Sequence, residues 1–404
     1  MGKTSSLQPS SSQPSSLQPS PWKRWYALIL ATLGMAATFA LWSALSPLAP
    51  LFQQNLHLSN TQISILIAIP VLLGSLMRIP MGMLTDRFGG KKTFLALLVF
   101  SLLPALALGT ATSSYSGLLF WAFILGMTGT SFAIGIPMVS KWFPPESQGL
   151  ALGLFGMGNG GTALAGFLAP KIARTADWHH VFLWFSLPVL FLLVLFLFAQ
   201  DAPGSTGRSK SWTDIRHLLK ERPLVWVLSL FYFVTFGGFV AFANYIPKLT
   251  VDLYHLTKTS SGSVAALFVI MATIGRPLGG WLSDRLGAKN ILYVVFILMG
   301  LTGLTLATGL PLTLFTVVIY ALGFFAGIGN GAVFKLVPFY FAGDTGLATG
   351  IVGASGGLGG FFPPLFMGVF RDHFGSYTPG FILLSVFALT CIILNLRLLK
   401  REIA

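Results

Sequence analysis

The sequence predicts an all-α membrane protein, twelve transmembrane helices in two pseudo-symmetric halves of six. Three observations predict it. Of 404 residues, 54% are hydrophobic and 9% charged, whereas a soluble domain spends about 25% on Asp, Glu, Lys and Arg. So few charges cannot clothe a water-facing surface, which excludes the soluble enzyme classes. Apolar runs of about 20 residues, each long enough to cross a bilayer, recur from Trp25 to Leu396. Finally, Arg78-Ile-Pro-Met-Gly82-x-x-x-Asp86-Arg87-Phe-Gly89 returns 198 residues later as Arg276-Pro-Leu-Gly-Gly280-x-x-x-Asp284-Arg285-Leu-Gly287, which marks an internal repeat.

Residues 1–21 repeat Ser-Ser-Leu-Gln-Pro-Ser units; lacking apolar content, they cannot repay chain entropy, and a disordered tail is expected. A signal peptide is not expected, because the following apolar run is too long and has no small-residue cleavage site. The first six-helix bundle, 22–199, holds spans at about 25–50, 61–84, 92–111, 116–140, 149–170 and 180–199. Asp201, Pro203 and Gly204, followed by five basic residues, make 200–222 a polar linker. The second bundle, 223–404, holds spans at about 224–247, 261–282, 290–309, 312–341, 347–370 and 378–397.

An even number of spans puts both termini on one side. Seventeen of the 25 Lys and Arg lie in segments on that side and five on the other, so both termini are expected in the cytoplasm. The net charge of +14 would point to nucleic acid in a soluble protein; here it sits in short loops, and no nucleic-acid partner is expected. The single cysteine, Cys391, lies in the last apolar run; it allows no intramolecular disulfide and is no metal site by itself. Neither cofactor nor metal is expected.

Three basic residues remain inside spans: Arg78, Arg276 and Lys335. Arg78 is eight residues from Asp86 at the edge of its span, and Arg276 eight from Asp284, which makes each roughly 12 Å deep. Asn159, Tyr232 and Phe132 are nine or ten residues from their span edges, roughly 14–15 Å deep. The hydrocarbon core is about 30 Å thick, so all five lie near its middle. An arginine there costs roughly 2.5–3.5 kcal/mol and is a functional candidate by default. All eleven acidic residues fall in loops or at span ends, so the two guanidinium groups call for an anion brought from outside.

Guanidinium is a planar fork of donors suited to a planar oxyanion. Phe132 and Phe236 can sandwich a flat ion or turn positive ring edges to it, and Tyr232 and Asn159 can donate to its remaining oxygens. Phosphate or a dicarboxylate would satisfy two arginines as well. Lys335, nine residues from Asp344, has three readings: a proton-coupling group, a fixed positive charge as second anion contact, or a side chain snorkelling to the cytoplasmic face. The six histidines all lie in loops or at span ends, leaving a proton relay few parts. Gly156-x-Gly158-x-x-Gly161 matches a dinucleotide fingerprint but lies mid-span with no strand before it. Close helix packing explains such glycines better.

These motifs resemble known ones. Gly82-x-x-x-Asp86-Arg87-x-Gly89-x-Lys91-Lys92 is similar to the loop between spans 2 and 3 of the major facilitator superfamily, and Gly280 to Lys289 to its copy between spans 8 and 9. The resemblance implies conformational control by Asp86, Arg87, Asp284 and Arg285, each Asp meeting a helix N-terminus across the interface, where anions are favoured. The chain also resembles the nitrate/nitrite porter family, in Gly153-Leu-Phe-Gly156-Met-Gly158-Asn159-Gly160-Gly161 and Gly353-Ala-Ser-Gly356-Gly357-Leu-Gly359-Gly360. Arg78, Arg276, Phe132 and the segment Ser229-Leu-Phe-Tyr232-Phe-Val-Thr235-Phe236-Gly237 match that family's substrate positions. The second glycine stretch departs from the pattern in lacking an Asn.

The resemblance implies transport of nitrate and/or nitrite by alternating access, with Gly156, Gly158, Gly356 and Gly357 letting helices rock. The missing intramembrane carboxylates favour nitrate/nitrite exchange over proton-coupled symport; a porter for another small anion is the alternative. Partners expected are nitrate, nitrite and membrane lipid, for a monomer in a bacterial inner membrane.

Overall fold

The structure is a computed structural model describing residues 21–398, apart from 112–113 and 208–209. The expected tail therefore lies outside the described residues except for Pro21, which opens the first helix, a position where its missing N–H costs nothing. Arg208, Lys400 and Arg401 also lie outside. The rods are, in order, α1 (Pro21–Ala49), α2 (Ile65–Phe88), α3 (Gly90–Thr110), α4 (Tyr115–Ser140), and α5, which runs as Pro145–Gly156, a 3-10 turn Met157–Asn159 and Gly160–Ala176. Then come α6 (His179–Leu197), α7 (Leu224–Tyr254), α8 (Ser260–Leu286), α9 (Ala288–Leu306), α10 (Leu312–Tyr340), α11 (Thr345–Phe374) and α12 (Thr378–Leu398). Ten of these, all but the glycine-rich α5 and α11, are long and apolar enough to cross a membrane.

Large apolar side chains face outward, Phe191, Trp184 and Leu304 among them, while the buried set includes arginines, asparagines and a lysine. That inversion suits a bundle whose solvent is lipid. With no hydrophobic drive between helices in lipid, close backbone approach supplies the packing. Two crossings matter here. α2 packs on α11 and α5 on α8, each joining the chain before the linker to the chain after it. A Cβ on Gly82 would overlap the carbonyl of Gly346, and one on Gly280 that of Gly149, so both crossings run backbone to backbone.

The linker is more ordered than its polar composition implies. Trp212–Glu221 is a helix whose N-terminus carries a capping box: Asp214 N–H donates to Ser211 Oγ, and Ser211 N–H to Asp214 Oδ2 at 2.6 Å. Ile215 and Leu218 bury one face of it.

Four rods are irregular at or beside residues of the predicted site. α2 breaks at Met77, beside Arg78. α4 tightens into a 3-10 turn over Gly126–Thr130, just ahead of Phe132, and α5 does the same over Met157–Asn159. α7 widens into a π-turn over Phe233–Gly237. Such interruptions redirect backbone carbonyls and concentrate at functional sites.

Candidate functional site

Arg78 is 1% exposed and Arg276 3% exposed, and neither lies within ion-pair distance of a carboxylate among the described residues. Each instead reaches across to a glycine carbonyl on the other half of the chain. Arg78 Nη1 donates to Gly353 O on α11 at 2.6 Å, and Arg276 Nη1 to Gly156 O on α5 at 3.1 Å. Arg78 Nε also meets Gly129 O in the 3-10 turn of α4, at 3.4 Å, and Arg276 Nη2 donates to the Tyr232 hydroxyl at 2.9 Å. Carbonyl dipoles and one phenol thus hold both cations without cancelling either charge.

The aromatic groups complete the cluster. Phe132 and Phe236 lie nearly parallel, their centroids 6.4 Å apart at 11°. Tyr232 is nearly parallel to both, 5.8 Å from Phe132 and 4.8 Å from Phe236. Arg78 Cζ is 5.7 and 5.5 Å from the Phe132 and Phe236 centroids, and Arg276 Cζ 5.6 and 5.4 Å. The median of each triangle puts both Cζ atoms about 4.5 Å from the point midway between the rings, within reach of a guanidinium bonding an oxyanion centred there. Two cations therefore converge, from opposite halves of the chain, on the point midway between two nearly parallel rings, called the slot below.

Asn159 is buried beside this cluster, its Oδ1 without a hydrogen-bond partner among the described residues. With Phe236 it lines a cavity of about 90 Å³ that extends past Trp42, Ser43, Pro70 and Asn244. The glycines make room. A Cβ on Gly156 would press on the Arg276 side chain at 3.1 Å, and one on Gly356 would overlap the Tyr232 ring. A Cβ on Gly357 would overlap Ser75 Oγ, beside Arg78 Nη1; Gly158 is packed instead against Met35 of α1.

The repeated motif sits at one end of the bundle. Asp86 Oδ1 and Oδ2 accept from the N–H groups of Gly346 and Leu347, at 3.1 and 3.0 Å. Asp284 Oδ1 and Oδ2 accept from those of Gly149 and Leu150, at 2.8 and 2.7 Å. Both carboxylates are span-end groups, yet both are buried. Arg87 and Arg285 are not drawn into these contacts. They are exposed and lie over the rings of Phe88 and Trp281.

Lys335 lies outside the arginine cluster, and its side chain runs to the span-end Asp284, the direction of the snorkelling reading rather than of a second anion contact. Its ammonium is 2.7 Å from Asp284 Oδ1 and donates to Pro145 O. It belongs to the Asp284 contact and bonds nothing in the arginine cluster, because its four-carbon stem carries the charge away from the level of its own Cα.

Sequence reasoning missed Phe334. Its ring meets those of Phe132 and Tyr232 edge-on, at 4.7 and 4.6 Å and 85° and 88°. The signal was adjacency: it precedes the one lysine inside a span. The carbonyl acceptors Gly129, Gly156 and Gly353 carried no such signal.

The chain matches the Major Facilitator Superfamily over residues 31–343 and 254–404. A protein from Staphylococcus epidermidis named "Probable nitrate transporter NarT" is 38% identical over 375 residues, 93% of this chain and 96% of its own. A "Nitrite extrusion protein" from Bacillus subtilis is 40% identical over 370 residues, 91% of this chain and 92% of its own. In three dimensions the human organic anion transporter MFSD10 superposes with a TM-score of 0.77 at 15% identity, covering 93% of this chain and all of its own. That level of identity speaks to the fold alone. The motifs at the Asp86 and Asp284 contacts, the two glycine-rich helices and these matches over nine-tenths of the chain lead to one assignment: this multi-pass membrane protein belongs to the major facilitator superfamily and, within it, to the nitrate/nitrite porter family.

Proposed function

We propose that this chain transports nitrate and/or nitrite by alternating access, the bundles 22–199 and 223–404 rocking about one anion site, and that it does so by exchange. The observation that carries the reading is the slot: two uncancelled guanidinium groups aimed between two nearly parallel phenyl rings whose centroids are 6.4 Å apart. A planar anion fills such a space face-on to both rings while its oxygens accept from the arginines and from Tyr232. Arg78 and Arg276 repel across the empty slot and so oppose its closure; an anion bridging them reverses the sign of that interaction. The names of the relatives agree with this ion class.

Exchange is favoured because the slot holds no carboxylate or histidine to carry a proton. Orientation follows the distribution of basic residues: the end carrying Asp86 and Asp284 is cytoplasmic, as are both termini, in a bacterial inner membrane, with the chain acting as a monomer. A proton-coupled reading has one observation in its favour, the buried Lys335–Asp284 pair. Labelled nitrate uptake into proteoliposomes, with and without internal nitrite and with and without a proton gradient, separates the two. Acceleration by internal nitrite alone is expected; acceleration by the gradient alone overturns exchange.

A further inference from the structure

Buried hydroxyls in this bundle mostly donate to the carbonyl one turn back, as Thr38, Ser101, Thr235 and Ser283 do. The carboxamide of Asn330 has no equivalent. The residue is 2% exposed, and both its Oδ1 and its Nδ2 are buried with no hydrogen-bond partner among the described residues. Its direction follows from its neighbours on α10. Gly331 backs onto α8 at the Arg276 carbonyl and the Gly280 N–H, while Gly329 backs onto Thr235 in the π-turn of α7. At about 100° per residue, Asn330 lies between those two directions on the arc of α10 that also carries Phe334, about 40° away, and Phe334 meets Tyr232 of α7, so Asn330 faces the wedge between α8 and α7. That wedge holds the Arg276–Tyr232 hydrogen bond. Phe334, one turn along the same face, already touches Phe132 and Tyr232.

We infer that Asn330 is a further residue of the anion site and sets its selectivity: its Nδ2–H donates to the oxygen of a trigonal oxyanion that the two arginines leave uncovered. This rests on the slot holding a planar anion. A neutral donor suits that place, since a third cation would add repulsion to a site that already holds two. The contact discriminates. Nitrate places a third oxygen on the side away from the guanidinium groups, whereas nitrite has no oxygen there and leaves the carboxamide unpaired. A buried donor without a partner is costly, so a contact of this kind separates ligands better than added apolar surface does.

The test uses the purified full chain, titrated with nitrate and with nitrite and followed by thermal unfolding, for wild type, Asn330→Leu and Asn330→Ser. For Asn330→Leu, nitrate binding is expected to weaken by about tenfold or more, the effect of a lost hydrogen bond to a charged group, and nitrite binding by much less. Its unliganded midpoint should hold or rise, because an apolar group of similar shape replaces one left unpaired. Asn330→Ser, with a shorter donor, should fall between. If nitrate and nitrite weaken equally, or their ratio stays within about twofold of wild type, the inference is overturned while the slot survives. Failure of both variants to fold would assign Asn330 a structural role and overturn it too. Wild type responding to neither anion would overturn the slot reading itself.

Discussion

The two crossings that join the halves, α2 with α11 and α8 with α5, look like copies, and they are held by different physics. In each, an aspartate accepts two backbone N–H groups, and an arginine eight residues earlier donates to a glycine carbonyl of the opposite helix. The difference lies in which N–H groups are taken. Gly346 and Leu347 are the second and third residues of α11, among the four donors that a helix start leaves without an internal acceptor. Asp86 therefore completes a helix terminus, and no ion pair joins it among the described residues. Gly149 and Leu150 are the fifth and sixth residues of their helix, past those donors. There the carboxylate also takes Lys335, whose ammonium bonds Pro145 O at the helix start. One latch is a carboxylate on a helix dipole and the other a buried ion pair. A repeat that shares its sequence motif has diverged through one residue on a third helix.

The deepest test of the pseudo-symmetry is at the arginines, where the largest effects are expected. Arg78→Lys and Arg276→Lys each keep a charge but lose the planar fork that reaches a carbonyl and the slot together. Each variant should lose at least about tenfold in kcat/KM for nitrate, about 1.4 kcal/mol of binding in the transition state. Arg276→Lys should lose more, because it also releases the Tyr232 hydroxyl. Uptake near wild type in both variants would end the slot reading, and equal losses would show that Tyr232 needs no such anchor.

That much of the site was legible for a physical reason. Helix rise is constant, so counting residues inward from loop edges put Arg78, Arg276, Phe132, Tyr232 and Asn159 at one level, and a guanidinium in an apolar run is hard to overlook. The structure brings the first four together and sets Asn159 on the neighbouring cavity. What stayed hidden obeys other rules. Glycine carbonyls become acceptors only where a helix tightens, widens or is met by a neighbour, and hydropathy does not register a 3-10 or π turn. Phe334 is one of 36 phenylalanines and stands out only in three dimensions. Lys335 was placed by its Cα, while its chemistry happens where its side chain ends. The linker helix was masked by its own charge, although Ser211 and Asp214 spell a capping box.

The latches differ enough to be separated by stability. Asp284→Asn leaves the Lys335 ammonium buried without its countercharge, a loss of about 3–5 kcal/mol for a broken buried pair. Asp86→Asn removes charge from a helix terminus but strands no partner, and the carboxamide oxygen still accepts; about 1 kcal/mol is expected, the size of a lost cap. Thermal unfolding of the purified variants should therefore rank Asp284→Asn well below Asp86→Asn. Lys335→Met should fall between, since Asp284 keeps both backbone donors. The double variant Asp284→Asn with Lys335→Met should recover much of the loss. Equal midpoints for the two aspartate variants would mean that Lys335 contributes nothing to its latch, and the comparison between the crossings would collapse.

The smallest expected effect sharpens the picture at the centre. Phe334 touches Phe132, which α4 brings from the first half, and Tyr232, which α7 brings from the second, so its ring is a shared wall behind both. Phe334→Leu keeps apolar bulk and removes two edge-to-face contacts, each worth about 0.5–1.5 kcal/mol beyond burial. Freed of that wall, Phe132 and Tyr232 lose orientation but not position. Half-saturation for nitrate should rise about threefold to tenfold, alongside a lower unfolding midpoint from the two lost contacts. A lower midpoint with unchanged half-saturation would make Phe334 a packing residue of α10. It sits one residue from the Lys335 of the ion-paired latch, on the helix that also carries Asn330. An effect on nitrate would therefore identify α10 as a further element joining slot and latch, beside α2 and α8, each of which carries an arginine of the slot and an aspartate of a latch.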